Sequence, residues 1–281
     1  MPRNFKAELV ACFGEPVAEN PTGVMQEAAF AAANLLWRYL TIEVPPAALA
    51  DAIRGARAMG WRGFNCTIPH KVAVIPHLDA LSPEAAIIGA VNTVRREGNR
   101  FIGENTDGKG FMRGVRQDAG LEPQGKRVVL LGAGGAARAI ATELLLAGVI
   151  DLLVVNRSPE RALPMVADLA QHGPIHFQQW DGIFTVPSNV DMLVNATSIG
   201  LFPNVGAMPP VDLSRARCLV ADAVFNPPLT KLLETAKQYG LPTLDGLSML
   251  VYQGVIGFQM WTGSEPDEAV MKQALTAAMI D

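Results

Sequence analysis

The stretch KRVVLLGAGGAARAIATELLLAGV, Lys126 to Val149, carries the fold in three parts. Val128 to Leu131 is a short β-branched and aliphatic run, the composition of a strand covered on both faces. Gly132-Ala133-Gly134-Gly135-Ala136-Ala137 fits G-x-G-x-x-A, and an apolar helix is predicted over Ala136 to Ala147. Strand, glycine turn and helix in that order are the context that gives this motif meaning. Glycine lets the backbone turn sharply and approach a pyrophosphate, and the helix N-terminus offers free N–H groups and a positive dipole end.

Working outward, DLLVVN (151–156), DMLVNATS (191–198) and CLVADAVF (218–225) read as further buried strands. A Rossmann-type, doubly wound dinucleotide-binding domain is therefore expected over 107–246. The tip of the second strand selects the cofactor. A site for NAD places Asp or Glu there to hold the ribose 2′-hydroxyl. This chain has Asn156-Arg157-Ser158-Pro159-Glu160-Arg161, with no carboxylate at the tip and two arginines within a turn. The planar guanidinium suits a phosphate, so the residues point to NADP; a solvated surface charge pair is the plain alternative.

Before this domain, LVACFG (9–14) reads as a strand and Val24 to Leu40 as one helix. Pro46 to Met59 is predicted as a second helix, and Phe64 to Thr67 as a strand. The βαβ rhythm favours a parallel sheet in an N-terminal α/β substrate domain over 1–106. The segment 247–281, opening with the apolar helix Leu247 to Trp261, is expected to return to that domain.

Composition bounds the function. Of 281 residues, 49% are hydrophobic and 18% charged, and the net charge of −4 is spread along the chain, which fits a globular protein and offers no basic stripe for nucleic acid. Leu9 to Phe13 is too short for a signal-peptide core, and the late apolar helix is too short and too rich in glutamine for a membrane span. A cytoplasmic protein without membrane contact is expected. Cys12, Cys66 and Cys218 are odd in number and widely spaced, so neither a disulfide framework nor a metal site is expected.

Three polar segments sit where α/β enzymes place their chemistry, at strand ends and in Gly/Pro-bounded loops: NCTIPHK (65–71), GAVNTV (89–94) and ENTDG (104–108). Singly, Lys71 reads as a solvated lysine and Asp107 as a helix N-cap. Together with GAGGAAR, NRSPER, NATSIG and DGLSMLVYQG, in that order, they resemble the shikimate dehydrogenase family from about Gly14 to Gly263. The resemblance implies a two-domain NADP-dependent oxidoreductase that interconverts shikimate and 3-dehydroshikimate, or in some branches the quinate pair, within aromatic amino acid biosynthesis. It implies Lys71 and Asp107 as the catalytic pair, with Asn65, Thr67, Lys71, Asn92, Asp107 and Gln253 contacting substrate. Cofactor contacts fall on Gly132, Ala133, Gly134, Gly135, Ala136, Asn156, Arg157, Ser158, Arg161, Thr197, Ala223 and Gly246.

The early loop departs from the family pattern. Asn20 and Thr22 stand where the family has two serines that hold the substrate carboxylate, Glu19 replaces a histidine, and Phe225 replaces a tyrosine. The expected partner is a small polyhydroxy cyclic carboxylate, and the chain is expected to be a monomer or homodimer. Two other readings stay open: an enzyme like methylenetetrahydrofolate dehydrogenase, against which the Asn92 and NTDG segments speak, and a non-catalytic NADP-binding regulator, against which retention of Lys71 and Asp107 speaks.

Overall fold

A computed structural model describes residues 5–279, and the chain divides into two compact units, one formed by residues up to Thr106 and from Gln253 on, the other by Asp107–Tyr252. Along the first unit run β1 (Glu8–Gly14), α1 (Thr22–Ala32), β2 (Trp37–Glu43), α2 (Leu49–Ala58), β3 (Gly63–Cys66), α3 (His70–Ala73), β4 (Ala80–Leu81), α4 (Pro83–Ile88), β5 (Thr93–Glu97) and β6 (Arg100–Glu104). Their sheet has the order β2-β1-β3-β5-β6-β4. Phe13 stacks on Phe64 at 4.9 Å, and Phe101 meets Phe64 edge-on at 5.4 Å, which gives the sheet a buried aromatic core.

Two expectations for this unit need correction. The helix predicted over Val24 to Leu40 stops at Ala32. Asn34 takes a left-handed conformation (φ 52°), a helix-ending geometry that asparagine tolerates. Trp37 to Glu43 then pairs with β1 over seven residues, because its aromatic and β-branched side chains suit a pleated surface. The sheet is also mixed rather than parallel: β1 runs parallel to β2 and β3, while β5 is antiparallel to β3 and β6. Gly98-Asn99 makes the two-residue turn of the β5–β6 hairpin, with Gly98 at φ 58° and Glu97 facing Arg100.

The second unit opens with α5 (Thr106–Gln117), whose first residue still belongs to the first. It continues through β7 (Arg127–Leu131), α6 (Gly135–Leu146), β8 (Asp151–Asn156), α7 (Pro159–Leu169), β9 (Ile175–Gln179), β10 (Phe184–Thr185), β11 (Met192–Asn195), β12 (Val211–Asp212), β13 (Leu219–Asp222), α8 (Lys231–Gln238) and β14 (Thr243–Leu244). The six main strands lie in the order β14-β13-β11-β7-β8-β9, all parallel. The chain builds from β7 out to β9, then returns to the other side of β7 with β11. That reversal is the switch point at which doubly wound sheets bind ligands beyond their carboxyl ends. Val128 to Leu131 are fully buried, as strands covered on both faces must be. α9 (Gly246–Thr262) carries the chain from the second unit into the first, and α10 (Glu268–Ala278) packs on α1. Among the described residues no helix is long and apolar enough to cross a membrane, and no cluster of His, Cys, Asp or Glu could hold a metal ion.

Candidate active site

In the first unit the three polar segments are laced into one network at the end of β3. Asn65 accepts the Tyr39 hydroxyl at 2.7 Å and donates its amide to the Asn92 carbonyl at 3.0 Å and to Thr93 Oγ1 at 2.9 Å. Thr93 Oγ1 lies 3.0 Å from Thr106 Oγ1. Asn92 Oδ1 accepts the Thr106 N–H at 2.7 Å, and its amide donates to Thr106 Oγ1 at 3.0 Å. The Lys71 carbonyl accepts the Val91 N–H at 2.7 Å, and the Thr67 carbonyl accepts that of His70 at 2.7 Å. Tyr39, Asn65, Asn92, Thr93 and Thr106 are all buried, and each hydrogen bond satisfies a group that would be costly to leave alone. Both Asn65 amide hydrogens are used, so toward a ligand this side chain can only accept.

Lys71, on α3, and Asp107, in the first turn of α5 directly after Thr106, are half-buried. The Lys71 charge is felt at the Cys12 and Cys66 thiols, yet burial dominates there and pushes Cys12 up to about 12 and Cys66 higher. Burial also raises the Tyr39 phenol. The floor beneath this region is therefore uncharged. Asn20 uses its Oδ1 to accept the Thr22 N–H at 3.0 Å, Thr22 is buried at the start of α1, and Glu19 is exposed. Gln253 is buried on α9, where the neighbouring Gly254 carbonyl accepts Gln26 Nε2 at 2.8 Å.

In the second unit, Gly132 has φ 107°, and a Cβ there would come 2.9 Å from the Ala196 carbonyl oxygen, so the fold itself requires glycine. Gly134 and Gly135 differ. Neither has a positive φ, and a Cβ on either would meet no protein atom within 4 Å. The protein's own packing does not require glycine at either position, and the open space leaves room for a diphosphate to approach the start of α6. Gly134 occupies the N-cap position with no side chain capping the helix, and Ala133 and Ala136 flank the turn. These residues fit a dinucleotide.

At the tip of β8 the Asn156 amide donates to the Ser158 carbonyl at 2.9 Å and shapes the turn into α7. Arg157 and Arg161 are exposed, and among the described residues neither guanidinium is in an ion pair. Thr197 follows β11, Ala223 follows β13, and Gly246 packs so closely under Val224 that a Cβ would lie 2.3 Å from its carbonyl oxygen. Phe225 is half-buried beside it. Two groups escaped the sequence reading. Tyr39 fell inside the stretch read as helix, which hid its inward-facing strand position. Asp222 ends an apolar strand, and a single carboxylate after LVA was the signal.

The comparisons with known proteins agree along the chain. Residues 12–94 match the family model for the shikimate dehydrogenase substrate binding domain, 116–201 that for shikimate/quinate 5-dehydrogenase, and 246–276 that for the shikimate 5′-dehydrogenase C-terminal domain. The shikimate dehydrogenase (NADP(+)) of Moorella thermoacetica is 45% identical over 276 residues, covering 96% of this chain and 93% of the relative. Among solved structures, ligand-free 5-ketofructose reductase of Gluconobacter sp. strain CHM43 is 48% identical with a TM-score of 0.93, covering 98% of this chain and 99% of that one. Shikimate 5-dehydrogenase from Thermus thermophilus, in complex with NADP(H) and shikimate, is 35% identical with a TM-score of 0.84, covering 96% and 99%. With matched segments from residue 12 to 276 and a 45% identical relative spanning nearly the whole chain, the protein belongs to the shikimate dehydrogenase family.

Proposed function

We propose that this protein is an NADP-dependent oxidoreductase that interconverts shikimate and 3-dehydroshikimate, with Lys71 moving the proton. One observation carries the catalytic part: Asn65, Asn92 and Thr106 form a single buried network in the first unit, and Val91, next to Asn92 in the chain, donates its N–H to the Lys71 carbonyl and ties the lysine's backbone to it. Such a network holds polar side chains at fixed positions, which polyol recognition requires. NADPH, when bound, supplies the hydride that adds to the ketone carbon. Lys71 then gives a proton to the ketone oxygen as it becomes a hydroxyl, and takes it back in the oxidation direction. Asp107, the second member of the catalytic pair that the family resemblance implies, accepts from a neighbouring ring hydroxyl. Asn65, whose amide hydrogens are taken, accepts from another hydroxyl, and Thr67, Asn92 and Gln253 complete the substrate contacts. Arg157 and Arg161 hold the 2′-phosphate, while Gly132 to Ala136 receive the diphosphate.

A second reading has its own observations. The 5-ketofructose reductase is more similar to this chain than the Moorella shikimate dehydrogenase is, at 48% against 45% identity, and it is named for an uncharged polyhydroxy ketone. The loop that departs from the family pattern agrees: Asn20 and Thr22 bring no positive charge, one Asn20 acceptor is spent on the Thr22 N–H, and Glu19 adds a negative charge nearby. A carboxylate gains less from such a loop than a neutral hydroxyl does.

One assay separates the two: NADPH oxidation with 3-dehydroshikimate and with 5-ketofructose, compared by kcat/KM. A preference for 3-dehydroshikimate of tenfold or more supports the first reading, the reverse supports the second, and activity with neither sinks both.

A further inference from the structure

Asp222 is 2% exposed at the end of β13, and three donors from three different segments converge on its carboxylate. Asn195 Nδ2, at the end of β11, donates to Oδ1 at 2.9 Å. The Val224 N–H, two residues on, donates to the same oxygen at 3.0 Å. The Thr230 hydroxyl, from the N-cap of α8, donates to Oδ2 at 2.7 Å. No charged partner is among the three. Burial pushes this acid up to about 6, and the three hydrogen bonds pull against that shift.

The network does not stop at these partners. Asn195 Oδ1 accepts from the Thr197 N–H at 3.1 Å and the Thr197 hydroxyl at 2.7 Å, and Thr197 Oγ1 accepts the Ile199 N–H at 3.1 Å. Gly132 leans on this same segment, since its missing Cβ would lie 3.1 Å from Thr197 Cγ2. On the other side, Ala223 lies between Asp222 and Val224, and Gly246 backs onto Val224. The carboxyl ends of β7, β11 and β13 flank the switch point of the sheet, and one buried carboxylate ties two of them together.

We propose that Asp222 is a positioning residue for the cofactor: through Asn195, Val224 and Thr230 it fixes the Thr197 and Ala223 backbone that borders the dinucleotide crevice, without touching the cofactor itself. The proposal rests on the NADP reading above. An acceptor-only group is needed because an amide N–H2, a backbone N–H and a hydroxyl all point inward. Remove it and three buried donors lose their partner at once, which frees both crevice segments to move.

The test is direct titration of NADP+ onto wild type, Asp222→Ala, Asp222→Asn and Thr230→Val, with Tm measured for each. Wild type should bind, and Asp222→Ala should bind ten- to a hundredfold more weakly, the effect of displacing binding groups by about an ångström. KM for the polyol or ketone should stay within threefold. Asp222→Asn keeps the shape and the one acceptor that Asn195 and Val224 share, but it turns an N–H2 toward the Thr230 hydroxyl, so it should recover only part of the affinity. Thr230→Val, which removes one of the three bonds, should fall between and keeps the test available if Asp222→Ala does not fold. A lower Tm with unchanged NADP+ affinity in both Asp222→Ala and Thr230→Val would overturn the proposal and leave Asp222 a stabilising residue only. A wild type that binds no NADP+ overturns the cofactor reading and takes the proposal with it.

Discussion

A lysine that moves a proton and one that merely holds a loop differ in what their loss does. Lys71→Ala should lower kcat by about 10²–10⁴, the usual worth of a positioned acid–base group, while NADP+ affinity stays within twofold. Stopped-flow NADPH oxidation and an independent cofactor titration measure the two quantities; a kcat within threefold of wild type removes Lys71 from the mechanism. Asp222 invites a different measurement. Its folded value, about 6, lies above the usual aspartate value of 3.8. Between those values the folded chain holds a proton that the unfolded chain has released, so this residue's contribution to stability falls as pH rises from about 4 to about 6. At 1.36 kcal/mol per pH decade the whole change is on the order of 3 kcal/mol. Asp222→Asn has no such proton, so the variant should gain on wild type across that window. Urea midpoints of both proteins between pH 4 and 8 check this, and parallel profiles would contradict the burial argument. At this scale the sequence exposed polar residues at strand ends, such as Asn65 and Asn92, because Gly/Pro-bounded loops mark them. Tyr39 and Asp222 act through partners far away in the chain, at positions 65 and 195, and no local pattern announces such pairings.

The strand–turn–helix element around Gly132 separates a glycine the fold needs from glycines that the fold leaves free to vary. Gly132→Ala forces φ 107° on a residue with a Cβ and drives that Cβ against the Ala196 carbonyl, so it should destabilise the second unit by about 1–3 kcal/mol. Gly135→Ala meets open space at the first residue of α6 and should leave Tm unchanged or raise it, since alanine costs less entropy than glycine in a helix. Its effect should appear in binding instead, as a KM for NADP+ raised about tenfold or more, equivalent to at least 1.4 kcal/mol. Thermal melts and cofactor kinetics on the same two variants decide it; a Gly135→Ala protein with normal KM would mean that no diphosphate approaches this turn. The same element was the most legible in the sequence, since a buried β-branched run, paired glycines and an alanine-rich helix leave few alternatives. The α1–β2 region was the least legible. Ala-rich sequence continues to Ala33, and only the left-handed Asn34 and the pairing of Trp37–Glu43 with β1, which lies earlier in the chain, turn the rest into a strand. The β5–β6 hairpin was hidden for a similar reason: RREGNRF looks like a charged loop until its partner β3 is known.

At the scale of the whole molecule, the inner strands β7, β8, β11 and β13 of the second sheet were legible because they are nearly continuous apolar runs covered on both faces, whereas the edge strands β9, Ile-His-Phe-Gln-Gln with three exposed positions, and β14, two residues long, carry no such signal. The proposed selection of NADP by charge at the β8 tip can be read as stability. Anything that binds only the folded state stabilises it by RT ln(1 + [L]/Kd), about 2.7 kcal/mol at one hundred times Kd. For a unit the size of Asp107–Tyr252, each kcal/mol moves Tm by roughly 2–4 °C, so NADP+ at that concentration should raise its melting transition by about 5–10 °C. NAD+ at equal concentration should raise it by far less, because two exposed arginines outside any ion pair gain nothing from a bare ribose hydroxyl that a 2′-phosphate would not exceed. Arg157→Ala removes one charge-assisted contact, worth about 1.5–3 kcal/mol, and weakens NADP+ ten- to a hundredfold. At the same NADP+ concentration the shift should then shrink to about half or less, while the small response to NAD+ stays as it was. Scanning calorimetry of the two proteins with each cofactor reads all four values. Equal shifts from NADP+ and NAD+ in the wild type, or an Arg157→Ala protein that keeps the full NADP+ shift, would show that the β8 tip does not recognise the 2′-phosphate.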